Sequence, residues 1–103
     1  MSNIKLKQVK IKFAYTSGQR FIAKGNISGF KYSADTFFYT IKSFEDGHKV
    51  STTHEIPLID VKSIIVKGPD GYAKAQLKGY REMELVIQNG KIKETIGRNH
   101  INL

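Results

Sequence analysis

Alternating apolar and polar positions near both ends of the chain predict two β-hairpins of similar design. Lys10–Tyr15 alternates in this way and is followed by the pair Ser17-Gly18. Glu82–Ile87 repeats the alternation 72 residues later and is followed by Asn89-Gly90. In each copy a second glycine comes seven residues after the first. Alternation with a period of two is typical of a half-buried strand, and a small polar residue before glycine suits a tight hairpin turn. We therefore expect one hairpin near each end of the fold.

The positions between these hairpins predict further short strands separated by turns. Asp46-Gly47 is a hairpin signal, and Pro57 ends a strand because proline has no N–H to donate into a sheet. Gly25 and Gly29 predict sharp bending within a long second strand. Alternation in the fourth strand assigns one face to Val50, Thr52, His54 and Ile56. The predicted strands cover Gln8–Tyr15, Arg20–Phe30, Thr36–Phe44, Lys49–Ile56, Val61–Lys67 and the closing hairpin Arg81–Ile96.

These segments together predict the fold class. Tyr72–Tyr80 fits either an alternating strand or a short helix, and Gly97–Leu103 fits either a loose tail or an added edge strand. No segment has the amphipathic pattern of a helix of ten or more residues. We therefore predict an all-β fold, with residues 1–103 as a single small domain. It is expected to be a strongly bent antiparallel barrel or sandwich of six to seven strands, with at most one short helix near residues 72–80.

The composition is that of an ordinary globular protein. Hydrophobic residues make up 40% and charged residues 25% of the 103 residues. The absence of cysteine excludes disulfides, thiolate metal ligands and cysteine nucleophiles. The sequence has no run of 18 apolar residues, and Met1–Lys5 lacks the apolar block of a secretory signal. We expect a cytoplasmic location and no association with a membrane.

Positive charge is concentrated in the first half of the chain. The net charge is +8, and residues 1–44 carry +7 of it, from eight basic residues and the single acid Asp35. Residues 45–103 are nearly balanced, with nine basic residues and eight acids. This asymmetry is typical of a surface that faces a polyanion. It also fits lysines that keep a strand face soluble or protect a sheet edge from pairing.

The same half of the chain contains a cluster of aromatic residues. Five rings lie within residues 30–39, and lysines flank them. On the strand Thr36–Phe44, alternation places Phe37 and Tyr39 on one side and Phe38 and Phe44 on the other. One side is expected to pack in the core. The other side can pack in the core, contact a protein partner or stack on the bases of a single-stranded nucleic acid.

Charge and aromatic residues together predict a non-catalytic binding module whose polyanionic partner is single-stranded nucleic acid. The candidate binding residues are the basic side chains of the first half together with two rings: Lys10, Lys12, Arg20, Lys24, Lys31, Tyr32, Phe38 and Lys42. We expect these side chains to gather on one surface. One alternative is a protein-interaction or self-assembly module, including a homo-oligomer. Another is a cyclic-dinucleotide adaptor.

No arrangement of residues indicates an enzyme, a metal site or a cofactor. His48 lies in a predicted turn, His54 in a strand and His100 in the tail, whereas a zinc site needs clustered ligands. The aspartates fall at predicted turns, where they stabilise backbone geometry. The sequence contains neither a G-x-S-x-G nucleophile motif nor a phosphate-binding loop with G-K-[ST].

Two segments resemble small bacterial β-barrel domains of unknown function whose layout is Sm-like or PilZ-like. Val9–Gly25 has the order strand, small residue with glycine, strand, glycine. Ile56–Lys67 fits the pattern I-P-L-x-D-[VL]-K-x-[IV]-x-[FV]-[VK]. In such domains the first segment forms the opening hairpin, and the proline-containing segment makes a one-turn switch into a later strand. The resemblance implies that this chain has the same small-barrel layout.

The PilZ-like side of this resemblance implies a cyclic-dinucleotide ligand, bound by an R-x-x-x-R motif and a later [DN]-x-S-x-x-G motif. Arg20 has no second arginine four residues away, and Asn26-Ile27-Ser28-Gly29 matches only the start of the second motif. An adaptor of this type would use Arg20, Asn26 and Ser28. The Sm-like side implies RNA binding through aromatic and basic loop residues.

Overall fold

Short alternating strands and tight turns fold into two antiparallel sheets. The computed structural model describes residues 8–101, which form eight strands and one helix. These elements are β1 (Lys10–Tyr15), β2 (Arg20–Ala23), β3 (Ile27–Tyr32), β4 (Thr36–Glu45), β5 (His48–Pro57), β6 (Val61–Lys67), α1 (Asp70–Gln76), β7 (Tyr80–Gln88) and β8 (Lys91–His100). One sheet has the strand order β2-β1-β6-β7-β8, and the other has the order β3-β4-β5.

The predicted all-β antiparallel fold with one short helix is confirmed. The part of the chain that the structure describes has eight strands because the predicted second strand is divided in two. It leaves the five-stranded sheet after Ala23 and enters the three-stranded sheet at Ile27, and Gly25 between them has a φ of 122°. Only glycine adopts this φ readily, so the predicted bend is the crossing point between the sheets. Within residues 8–101 the sheets do not close into a barrel.

Both terminal hairpins are present, and both lie in the five-stranded sheet. β1 pairs with β2, β7 pairs with β8, and β6 lies between the two hairpins, antiparallel to β1 and β7. Asn89 and Gly90 have φ angles of 54° and 74°, which are those of a type I′ turn. Asp46 and Gly47, with φ angles of 51° and 77°, form the same kind of turn between β4 and β5.

The core lies between the inner faces of the two sheets. Alternation on β1 turns Ile11 and Phe13 inward, and alternation on β4 turns Phe37 and Tyr39 inward. The Phe13 ring centroid lies 5.7 Å from that of Phe37 and 6.0 Å from that of Tyr39. β6 and β7 add further fully buried side chains, among them Ile64, Val66 and Leu85. The outer face of each sheet therefore points away from a shared core.

The helix α1 forms at the stretch for which the sequence left strand and helix open. It buries Ala73, and Leu77, the residue that follows it, is also fully buried. Asp70 accepts a 2.7 Å hydrogen bond from Arg81 on β7. β7 begins at Tyr80, and β8 continues through much of the predicted tail to His100. In residues 8–101 we find no helix with the length and apolar character needed to cross a membrane.

Tyr72 on α1 is expected to destabilise the fold through its hydroxyl group. Its ring packs 6.5 Å from the ring of Phe30, and its buried hydroxyl has no hydrogen-bond partner among the described residues. We predict that Tyr72→Phe raises the free energy of unfolding by about 1 kcal/mol, because the variant buries no unpaired polar group. Urea denaturation at neutral pH measures this change. A lower stability of the variant would show that the hydroxyl is hydrogen-bonded in solution.

We also expect the free energy of unfolding to depend differently on pH in the wild-type protein and in Tyr72→Phe. Burial raises the pKa of Tyr72 to about 12 from its ordinary value of 10.0. The unfolded chain therefore releases this proton first, so ionisation of Tyr72 does not change the free energy of unfolding below pH 10 and lowers it as the pH rises towards 12. The wild-type protein should lose more stability over that interval than Tyr72→Phe does.

Candidate functional site

The eight predicted binding residues do not form one surface. Three of them lie on the outer face of the five-stranded sheet: Lys10, Lys12 and Arg20. Three others lie on the outer face of the three-stranded sheet: Lys31, Phe38 and Lys42. Lys24 is exposed in the connection between the sheets. Tyr32 lies opposite the buried Phe37, so it is on the core side, although it is 40% exposed. The expectation of a single surface is corrected because the crossing at Gly25 separates β1 and β2 from β3 and β4.

The outer face of the three-stranded sheet combines lysines with rings. We call Lys31, Phe38, Lys42, Phe44 and Lys49 the basic-aromatic face. Lys31 lies directly opposite Phe38 across β3 and β4, and Lys49 lies opposite Phe44 across β4 and β5. Phe44 is 71% exposed, whereas Phe37 and Tyr39 on the other side of β4 are buried. Phe44 and Lys49 are not among the predicted residues, although strand alternation groups Phe44 with Phe38.

The lysines of the basic-aromatic face form no ion pair with any residue in the described range 8–101. Lys31 instead holds its Nζ 5.4 Å from the centroid of the Phe38 ring, a cation–π contact. Glu55, opposite Phe38 on β5, is an acid on this side of the sheet. With three lysines against this acid, the face is positively charged.

The outer face of the five-stranded sheet has a different electrostatic character. Glu82 on β7 pairs with Lys67 at 3.4 Å and with Arg98 at 3.3 Å, and Glu84 pairs with Arg98 at 2.7 Å. Acids and bases therefore neutralise one another over β6, β7 and β8. Lys12 and Arg20, on the far side of this sheet, line a common cavity of about 350 Å³ with isoleucine side chains of β2 and β6. This face therefore has paired charges on β6, β7 and β8, whereas Lys10, Lys12 and Arg20 on β1 and β2 form no ion pair within residues 8–101.

Two cavities lie on the side of the basic-aromatic face. One, of about 300 Å³, is lined by Lys31 and Phe38 among others. The other, of about 260 Å³, is lined by Lys42, Phe44 and Lys49 among others. Phe38 and Phe44 are six residues apart on one strand, so their Cα atoms are separated by about 20 Å at the usual rise per residue. The face thus repeats a cavity with a ring and a lysine along its length.

Among the described residues, the structure brings together neither the residues of the cyclic-dinucleotide alternative nor a group of histidines. Arg20 lies on β2, whereas Ser28 lies on β3, beyond the crossing between the sheets. His54 stacks on Tyr39 with a centroid distance of 4.9 Å. Residues 8–101 contain no group of three or more histidine, aspartate or glutamate side chains that could hold a metal ion.

Fold and surface together define an all-β protein of two sheets with an open basic-aromatic face on the smaller one. Comparison with protein-family models, with curated proteins and with solved structures found no match for this chain. Its function must therefore be inferred from the chemistry of the face itself.

Proposed function

We propose that this protein is a non-catalytic module that binds single-stranded nucleic acid through the basic-aromatic face. The observation that supports the proposal is the placement of two exposed or half-exposed rings among lysines that form no ion pair within the described chain. Proteins that bind single strands without strict sequence preference combine these two features, because lysines neutralise phosphates and rings stack on bases.

The three lysines and the two rings of the basic-aromatic face are expected to contribute to binding in different ways. Counterion release from three phosphate contacts gives a slope of about −2 for the logarithm of the association constant against the logarithm of salt concentration. Each base stacked on an aromatic ring adds about 1–3 kcal/mol of binding free energy. Rings buried in a protein interface would instead give binding that salt weakens little.

Two double variants of equal charge test the proposal. Lys31→Gln with Lys42→Gln neutralises two lysines of the basic-aromatic face, and Lys10→Gln with Lys12→Gln neutralises two lysines of the other sheet. We expect the first pair to reduce the salt slope by about 1.4 and to weaken binding about tenfold at low salt. The second pair should change both quantities little. Fluorescence anisotropy with a labelled single-stranded DNA and RNA, titrated over several salt concentrations, measures both.

Comparing the two double variants distinguishes binding at the basic-aromatic face from a general effect of net charge, since each variant loses two positive charges. Equal losses in the two variants would show that net charge, and not the basic-aromatic face, attracts the ligand. No binding of DNA or RNA by the wild-type protein at low salt would reject the proposal.

A further inference from the structure

The cavity beside Phe38 is formed where β3 lacks a side chain. Gly29 lies opposite Thr40, which points to the outer face, so a side chain at position 29 would point outward too. A Cβ atom built on Gly29 meets no atom within 4 Å. No side chain of β3 therefore occupies this part of the cavity.

A β-bulge in β3 lies next to Gly29. The register of β3 against β4 shifts between Ile27 and Gly29, so that Ser28 is the extra residue. Bulges locally disrupt the ladder, and they are common beside binding sites because they redirect a side chain. Ser28 lines the cavity together with Gln76 from the end of α1. The bulge and the helix thus bring polar groups to a gap in the sheet.

One wall of the cavity offers a ring, and its other walls offer hydrogen-bonding groups. Phe38 is half-buried, and Lys31 Nζ lies over its ring, so a base that stacks on this face takes the place of Nζ and leaves it available for a phosphate. The hydroxyls of Thr40 and Thr53 are 3.0 Å apart, and this mutual bond uses only one of their two donors. The Gln76 side-chain amide forms no hydrogen bond with another residue of the described range, although it has two donors and an acceptor.

From this geometry we infer that the cavity beside Gly29 binds one unpaired nucleobase. The base stacks on Phe38, its edge forms hydrogen bonds with Gln76 and the threonine hydroxyls, and Lys31 contacts an adjoining phosphate. The cavity volume of about 300 Å³ is at the lower end of the range for small-ligand sites, as a single base requires. This inference rests on the proposed function and makes it more specific, because a polyanion without bases would leave the cavity empty.

Two ligands of equal phosphate charge separate the inference from the proposed function. One is an oligothymidylate of about 12 nucleotides, within the range of site sizes for single-strand binders, and the other is an abasic chain of the same length. At about 50 mM salt we expect the wild-type chain to bind the base-containing ligand about tenfold more tightly, because stacking requires bases. Fluorescence anisotropy measures both affinities.

Substitutions at Gly29 test whether this preference arises in the cavity. Gly29→Ile places a branched side chain in the cavity, and we expect the preference for bases to disappear while the affinity for the abasic chain changes less than about twofold. The open space at the Cβ position and the strand propensity of isoleucine favour a folded variant. Gly29→Ala is the matched control and should retain the preference. Phe38→Leu provides an independent test, since it removes the stacking ring and keeps an apolar side chain.

Each outcome decides between the two proposals. Loss of the preference in Gly29→Ile and Phe38→Leu, with retention in Gly29→Ala, supports the cavity as the base site. If the wild-type protein binds both ligands equally, the base site is rejected and polyanion binding stands. A preference that survives both Gly29→Ile and Phe38→Leu places the base elsewhere. Failure to bind either ligand rejects both proposals.

Discussion

Replacing Phe13 by alanine is expected to lower the free energy of unfolding by about 3–5 kcal/mol, the usual cost of removing a buried ring. Phe13 is 1% exposed and lies where the two sheets meet, in contact with the rings of Phe21, Phe37 and Tyr39. Its loss removes apolar contacts on the inner faces of both sheets and leaves a cavity between them. Each kcal/mol lost lowers the melting temperature of a domain of this size by about 4–8 °C, so the variant is expected to melt at least about 12 °C lower.

Phe44→Ala is the matched control for this prediction, since it makes the same chemical change at a ring that is 71% exposed. Its stability should remain within about 0.5 kcal/mol of the wild type, because substitutions at exposed sites rarely cost more. Its affinity for a single strand should fall, whereas Phe13→Ala should retain affinity at a temperature where it is folded. Thermal melts and urea titrations of both variants measure the difference. Equal destabilisation would show that the Phe44 ring is covered in solution.

The rings of β4 show how much strand alternation can predict. Alternation along Thr36–Phe44 is enough, by itself, to separate Phe37 and Tyr39 from Phe38 and Phe44. It does not say which side is buried, because both sides are apolar. The fold buries Phe37 and Tyr39, since they face Phe13 across the core. The sequence could therefore predict the two groups of rings but could not show which of the two groups is buried.

The distribution of the basic residues could not be predicted for a related reason. Lys12 and Lys31 are close in sequence, yet Gly25 lies between them at the crossing from one sheet to the other. A glycine indicates a bend, but neither its angle nor the next pairing partner can be obtained from local pattern. Net charge by segment thus identified a basic half and could not show that this half is divided between two outer faces.

Local pattern predicted which residues of β5 share a face but not how deeply each of them is buried. Alternation assigns one face to Val50, Thr52, His54 and Ile56, but only Val50 and Ile56 are partly buried. β5 is an edge strand of the smaller sheet, so much of it projects beyond the core. The helix α1 illustrates the opposite case, because the burial of Ala73 and of Leu77 supports a seven-residue helix that propensity alone leaves open.

The two glycines that complete the repeated pattern have different physical roles, and this difference leads to the second large prediction. Gly25 has a positive φ that the backbone requires. Gly97 lies beneath a ring instead, since a Cβ added there would be 2.5 Å from Cδ2 and 2.6 Å from Cγ of Tyr80. Carbon atoms in good contact are about 3.5–4.0 Å apart. The Tyr80 ring also packs against the His100 ring, at a centroid distance of 5.0 Å.

Gly97→Ala is therefore expected to lower the free energy of unfolding by about 2 kcal/mol, within the usual range for overpacking. Gly71→Ala makes the same change in α1, where the new Cβ meets nothing within 4 Å, and it should raise stability by about 0.5–1 kcal/mol because alanine favours a helix. Urea denaturation of both variants tests the opposite signs. In a Tyr80→Ala background the cost of Gly97→Ala should largely vanish, since the double-mutant cycle removes the ring that the methyl group meets. An undiminished cost in that background would mean that the strain lies in the β8 backbone and not in the contact with Tyr80.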